Sequence, residues 1–149
     1  MKPSPLERVV AGDTWIPLAS GLSFRPLAFG PGPWRRLLLR LEPGTVIAPH
    51  RHEGEVHAVN LQGWRAIAGR ADPIGPGTYV HEPVGNVDTW WAVGDEPCVV
   101  AIALWGRLEH LDDAGRVTGF DDTASLHASY LAWCAATDVT PDPTLVVAA

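Results

Sequence analysis

The segment GTVIAPHRHEGEVH, residues 44–57, contains three histidines within eight residues. Neutral imidazole is the most common metal ligand in proteins. His50 and His52 are two residues apart, so on a strand their side chains leave the same face. His57 follows a turn predicted over residues 53–55 and could return on an antiparallel neighbour. The stretch predicts half of a metal site, although two solvated or hydrogen-bonded histidines at a strand end would show the same spacing.

Composition narrows the class of protein. A chain of 149 residues suits one domain that buries roughly 70% of its unfolded surface. Its 15 glycines and 14 prolines favour short strands joined by turns. A net charge of −6 without a Lys/Arg cluster argues against nucleic acid or an anionic membrane as partner. No secretory signal is seen, and the longest apolar run, residues 99–105, is too short for a membrane span. Cys98 and Cys134 lack CxxC spacing and are predicted to be buried reduced thiols. We expect a cytoplasmic protein, because reduced cysteines suit a reducing compartment.

Short apolar segments alternate with turn signals from residue 14 onward, which predicts a β-sandwich or barrel. The clearest strands are predicted at 34–41, 45–52, 57–61, 64–68, 78–82, 87–93 and 99–105. Residues 123–136 are predicted to be helical, with Asp122 as N-cap. The predicted organisation is a flexible N-terminal tail over 1–12, one domain over 13–136 and a loosely held C-terminal tail over 137–149. Within the domain we expect N-terminal strands over 13–40, a metal-binding barrel core over 41–105 and a C-terminal extension with the helix over 106–136.

Two motifs of the cupin superfamily are present in order. The first motif has Gly, five residues, His-x-His, three or four residues, Glu, and Gly about seven residues later; here Gly44, His50 and His52 are followed by His57 at the glutamate position. The second motif matches PGTYVHEPVGNVD, residues 76–88, with Asp88 at the position of its final histidine. The chain therefore resembles a single-domain cupin, which implies an all-β fold: a small antiparallel barrel, or double-sheet jelly roll, here with a C-terminal helix.

The cupin resemblance implies a metal inside the barrel, held by His50, His52, His57 and Asp88. Three imidazoles and one carboxylate suit a divalent first-row metal: Fe, Zn, Ni, Mn or Co. A smaller set of two or three histidines with Asp88 and open positions suits Fe(II), which is favoured. Two alternatives remain open. His57 could orient another ligand, and Asp88 could cap the preceding turn.

Within the cupins, the chain resembles the 2,4′-dihydroxyacetophenone dioxygenase-like group, to which acetylacetone-cleaving dioxygenases are related. The resemblance runs from about Trp15 to Cys134 and includes the segments at 25–27, 34–41, 49–57, 77–83, 88–89 and 106–119. It implies a non-haem iron enzyme that uses O2 to cleave a C–C bond of an aryl hydroxymethyl ketone. That family has His where this chain has Asp88, and a Glu on the strand after Gly63 that this chain lacks.

Other residues are candidates for the surroundings of the metal. His81, Glu82 and Arg65 could position a ligand or a polar group of the substrate, and His81 could instead pack or face solvent. The aromatic residues predicted to line a substrate pocket are Trp64, Tyr79, Trp90 and Trp105, which would suit a flat apolar molecule. Ordinary packing in the barrel is the alternative for each of them.

The sequence thus predicts a metal-dependent enzyme, most concretely a non-haem Fe(II) dioxygenase cleaving a C–C bond of an aromatic hydroxy-ketone or diketone-like molecule. Its partners would be that small molecule, O2 and, by resemblance, a second copy in a homodimer. One alternative is a non-redox metal-dependent cupin acting as an isomerase, cyclase or decarboxylase. Another is a non-catalytic metal or ligand sensor that resembles the cupin domain of zinc-dependent anti-sigma factors.

Overall fold

The computed structural model describes residues 14–148, which form two packed antiparallel β-sheets. The first sheet has the order β1-β2-β3-β9-β5-β7, with strands Ile16–Ala19 (β1), Leu22–Phe29 (β2), Trp34–Leu41 (β3), Cys98–Trp105 (β9), Val56–Gln62 (β5) and Tyr79–Glu82 (β7). The second has the order β11-β10-β4-β8-β6, with strands Val117–Asp121 (β11), Leu108–Leu111 (β10), Val46–His52 (β4), Val87–Val93 (β8) and Trp64–Ile67 (β6). The predicted all-β, two-sheet architecture is confirmed.

The core lies between the sheets, because alternate residues of each strand point inward. On β3 the inward positions include Leu37, Leu39 and Leu41, all buried. β3 pairs with β9 over its whole length, from Trp34 opposite Trp105 to Leu41 opposite Cys98. Burial of such apolar surface contributes about 25 cal/mol per Å², so this ladder anchors the sheet from which β5 and β7 extend.

Gly63 allows the chain to pass from the first sheet to the second. It has a φ of +68°, which only glycine adopts without strain. A Cβ atom at this position would also overlap the carbonyl oxygen of Pro97. Because β5 ends at Gln62 and β6 begins at Trp64 in the other sheet, a single glycine makes the crossing.

The region after β9 contains more strand than the sequence predicted. β10 and β11 form a hairpin, and β10 pairs with β4 so that His110 lies opposite His50. The helix α1, Thr123–Thr137, agrees with the prediction. It begins with a capping box in which the Asp122 carboxylate accepts from the backbone N–H of Ser125 at 2.8 Å.

The C-terminal segment is packed against the domain rather than loosely held as expected. A 3-10 turn, Pro143–Leu145, follows α1. The N–H of Val147 then donates to the carbonyl of Phe29 on β2 at 3.0 Å. The N–H of Asp142 donates to the hydroxyl of Tyr130 at 2.9 Å. The tail predicted over 1–12 lies outside the described residues.

Two further predictions concern the cysteines and the membrane. Cys98 and Cys134 are both buried and free, as expected. Burial raises the pKa of the Cys98 thiol to about 11, so it is protonated at neutral pH. Within residues 14–148, no helix has the length and apolar character needed to cross a membrane.

Candidate metal centre

Strand β4 directs two histidines into the space between the sheets. His50 and His52 are 2% and 5% exposed, whereas Arg51 between them is half-buried on the opposite face. The two rings lie 4.8 Å apart, edge to face. His50 also faces Asp88 across the β4–β8 ladder. The alternation predicted from the His-x-His spacing is therefore present, and it brings both imidazoles to one interior point.

The two imidazoles are neutral at physiological pH. Desolvation by burial lowers the pKa of His50. Desolvation, followed by the neighbouring charge of His50, lowers the pKa of His52 to about 4. Nδ1 of His50 donates to the carbonyl oxygen of Ala48 at 2.7 Å, which leaves the lone pair of Nε2 free. Nδ1 of His52 is buried without a hydrogen-bond partner. Neutral imidazoles with free nitrogens are what a metal ion requires.

Two carboxyl groups complete an interior cluster of His50, His52, Glu82 and Asp88. Oε2 of Glu82 lies 3.6 Å from Nε2 of His52. Burial, a hydrogen bond to the Asp88 carboxyl group and the charge of Asp88 raise the pKa of Glu82 to about 7. Nδ2 of Asn86 donates to Oε1 of Glu82 at 2.8 Å and holds the side chain in place. Two carboxyl groups this close and this buried repel each other when both are ionised.

His57 does not join the interior cluster, contrary to the prediction. On β5 the inward positions are Val56, Ala58 and Asn60, and His57 leaves the opposite face. The motif allows three or four residues between its second histidine, His52, and the glutamate position. The structure matches a spacing of three, which puts Val56 at the glutamate position. Val56 is the register partner of Glu82 on β7. The carboxylate missing from β5 thus comes from the adjacent strand, at the same level of the barrel.

His57 instead belongs to an outer triad of Glu55, His57 and His81. Nε2 of His57 lies 3.6 Å from Oε2 of Glu55, and Nε2 of His81 lies 3.3 Å from Oε1. One ligand atom from each of the three residues lies within 4.8 Å of the others. Within residues 14–148, no other group of three His, Cys, Asp or Glu residues is this compact. The interior cluster is less compact, so metal binding there requires its carboxylates to rotate towards the imidazoles.

The aromatic residues predicted to line a pocket divide between the two faces of the sheets. Trp90 is 4% exposed and points inward, with Trp91 on the other face. Trp64, Tyr79 and Trp105 are exposed, because each occupies an outward position of its strand. These three do not line an interior pocket.

Arg65 supplies the interior with a buried cation. It is 3% exposed, its Nε donates to Oδ1 of Asn60 at 2.9 Å, and its guanidinium lies over the ring of Trp90 at 4.6 Å. Its Nη2 is buried and has no hydrogen-bond partner. Desolvation lowers the pKa of Arg65, and its electrostatic interactions with Cys98, Glu82 and Asp88 oppose that shift. An unpaired N–H group at this place can donate a hydrogen bond to an oxygen atom of a bound molecule.

A surface groove of about 270 Å³ lies elsewhere, at the start of α1. It is bordered by Glu53, Arg107 and Thr123 among others. None of the predicted ligands lines it, so the groove does not mark the interior cluster.

Comparison with known proteins gives the family. The model of the ChrR cupin-like domain matches residues 9–106, about two thirds of the sequence. The chain belongs to this cupin family. No curated protein matches the sequence.

Solved cupin structures share the fold. An RmlC-like cupin protein from Ralstonia eutropha aligns with a TM-score of 0.83 and 21% identity, over 90% of this chain and 88% of that one. An acetylacetone dioxygenase from Acinetobacter johnsonii gives 0.72 and 17%, over 89% and 90%. SigE in complex with the anti-sigma ChrR from Rhodobacter sphaeroides gives 0.57 and 24%, over 68% and 56%. At these identities the likeness establishes the fold alone.

The interior cluster has the donor chemistry of a cupin metal site. Two neutral imidazoles, one orphaned ring nitrogen and two carboxyl groups converge between the sheets. Sequence reasoning assigned Glu82 only to the surroundings of the metal, although its alternation with Val80 on β7 indicated an inward side chain. The residues present therefore fit a divalent cation, with Glu82 in the place predicted for His57.

Proposed function

We propose that this cupin is a metal-dependent enzyme whose divalent cation is held by His50, His52, Glu82 and Asp88. The observation that carries the proposal is the meeting of two neutral imidazoles and two carboxyl groups inside the barrel. Burial, followed by the hydrogen bond and the charge of Asp88, raises the pKa of Glu82. A divalent cation would neutralise both carboxylates at once and so offset the cost of burying their charges.

Fe(II) is the favoured ion, before Zn, Ni, Mn or Co. Imidazole and carboxylate donors with open coordination positions are typical of non-haem iron oxygenases. The ion would act as a Lewis acid on a substrate oxygen. The protein would fix its ligands through the Ala48 carbonyl bonded to His50 and the Asn86 amide bonded to Glu82. The bond to Ala48 keeps the ring of His50 oriented, and binding of the ion would draw the two carboxylates towards the imidazoles.

The substrate we propose is a small molecule that forms an enolate, an aromatic hydroxy-ketone or a diketone, whose C–C bond is cleaved with O2. Arg65 supports this choice, because its unpaired Nη2 can donate a hydrogen bond to an anionic oxygen. The buried ring of Trp90 beneath the guanidinium offers an apolar contact for the rest of the molecule. A cytoplasmic homodimer is part of the same proposal.

The reaction is tested in two steps. The protein is first reconstituted with Fe(II) under anaerobic conditions, and O2 uptake is then measured in the presence of a ketone. We expect O2 consumption with 2,4′-dihydroxyacetophenone or acetylacetone, and its loss in His52→Ala and Asp88→Asn. His127→Asn is the control, because His127 lies on α1 with its ring against Phe29 and has no contact with the interior cluster. Iron that binds without O2 uptake for any such ketone, while Zn or Ni supports turnover of the same compounds, would favour the non-redox enzyme instead.

A second candidate function is a non-catalytic metal sensor. It is favoured by the family match, since ChrR is an anti-sigma factor in its complex with SigE. A sensor would bind Zn(II) in the interior cluster without turning over any ketone. It would also change its affinity for a protein partner with the metal, which an enzyme need not do.

A further inference from the structure

The outer triad is built by the pairing of two neighbouring strands. Glu55 precedes β5 and His57 lies two residues later, so both side chains leave the outer face of the first sheet. His81 on β7 is the register partner of His57. Partners across an antiparallel ladder have Cβ atoms about 5 Å apart, and the two imidazole rings here lie 5.0 Å apart. The backbone alone thus brings three donors together.

The carboxylate of Glu55 lies close to both imidazoles. Each oxygen of the Glu55 carboxylate faces one imidazole, with Nε2 of His57 at 3.6 Å and Nε2 of His81 at 3.3 Å. Donors around a tetrahedral zinc ion with bonds of about 2 Å are roughly 3.3 Å apart. The two nitrogen–oxygen separations are close to this value, and one ligand atom from each of the three residues lies within 4.8 Å of the others. Binding of an ion would draw these atoms slightly closer together.

Tyr79 fixes the orientation of His57. Its hydroxyl lies 2.5 Å from Nδ1 of His57, and the two rings are stacked at 6.0 Å. Tyr79 is two residues before His81 on β7, so it shares the outer face with the triad. A hydrogen bond to the second ring nitrogen is the usual way in which a protein orients a histidine ligand and keeps the other nitrogen available.

We propose that Glu55, His57 and His81 form a second divalent-metal site, separate from the interior cluster. Two imidazoles and one carboxylate suit Zn(II) or Cu(II). Three protein ligands leave at least one position open for water or another ligand. The side chains of the triad are 37–52% exposed, so the ion reaches the site from solvent without any opening of the barrel. The alternative is that no metal binds and that Glu55 forms ion pairs with protonated histidines.

Zinc titration against a chromophoric chelator at pH 7.5 tests the second site. We expect His81→Asn to bind one equivalent less than the parent protein, and His57→Asn to do the same. Tyr79→Phe should keep the stoichiometry but weaken this one site about tenfold. His110→Asn, which alters an exposed histidine–carboxylate pair of the other sheet, should bind as the parent does. Circular dichroism would verify that each variant is folded.

The number of zinc equivalents bound by each variant distinguishes the two sites. His52→Ala removes a donor from the interior cluster alone, so it should retain the equivalent that His81→Asn loses. If the interior cluster bound no zinc, the parent would bind one equivalent and His81→Asn none, which would still support the outer site. Equal zinc stoichiometry and affinity in the parent and His81→Asn would overturn the proposal, as would an equal loss in His110→Asn.

Discussion

Replacing Glu82 by Gln should stabilise the metal-free protein while it weakens metal binding. The pKa of Glu82 is raised to about 7 in the folded state, against 4.5 for the ordinary group. The folded protein therefore binds a proton more tightly than the unfolded chain does, and stability falls as pH rises from about 4.5 to 7. At 1.36 kcal/mol per pKa unit, the cost of the ionised group is about 3 kcal/mol above pH 7 and about 1 kcal/mol at pH 5.5.

Glu82→Gln removes that cost without changing the size of the side chain. Its Oε1 can still accept from Asn86, and its amide can donate to Asp88. Urea denaturation in excess chelator should therefore show the variant more stable by up to about 3 kcal/mol at pH 7.5, with a smaller advantage at pH 5.5. In the presence of metal the order should reverse, because a neutral amide is a poorer ligand than a carboxylate. A metal-free variant less stable than the parent at pH 7.5 would refute the reasoning.

Three further predictions test the fold and the ligand set. Asp122→Ala should lower the free energy of unfolding by about 1 kcal/mol through loss of the N-cap bond to Ser125, and unchanged thermal stability would contradict the cap. Arg35→Met should cost about 1–2 kcal/mol, because Arg35 is 3% exposed and its Nη1 donates to the Gly106 carbonyl at 2.8 Å; exposed Arg36 on the same strand supplies the control. The double variant Val56→Glu/Glu82→Val, which moves the carboxylate from β7 to β5, should retain the interior metal. Glu82→Val alone should lose it. Elemental analysis measures both, and equal metal content in the two variants would show that a carboxylate on β5 does not replace Glu82.

Most of the barrel could be predicted because its strands carry strong local signals. β3 was predicted with its observed bounds, since an apolar run closed by Pro43-Gly44 leaves little choice. The start of α1 was also predicted, because Asp122 marks it, and the helix ends one residue later than predicted. β10 and β11 were missed because they are short, mix apolar with polar residues and have no buried position, so neither alternation nor an apolar run distinguishes them. Pairing with β4 makes them strands, and that contact is not local in sequence.

The site could be predicted only where it was known which residues of a strand point inward. His50 and His52 share a face whatever the register of β4, because they are two residues apart. For β5, a shift of one residue exchanges the inner and outer faces, and the motif allows three or four residues after His52. The choice of four put His57 inside, whereas the structure has Val56 there. The role of Glu82 depended on its pairing with Val56 across two strands, which no spacing within one segment can reveal.

X-ray absorption spectroscopy of the metal-loaded His81→Asn variant, in which the outer triad is disabled, tests for a metal centre inside the barrel. We predict one bound ion with two imidazole nitrogens and carboxylate oxygens in its shell. The ion should be lost when His52→Ala is added. A bound ion without imidazole scattering, or one that persists after both histidine substitutions, would contradict a metal centre inside the barrel.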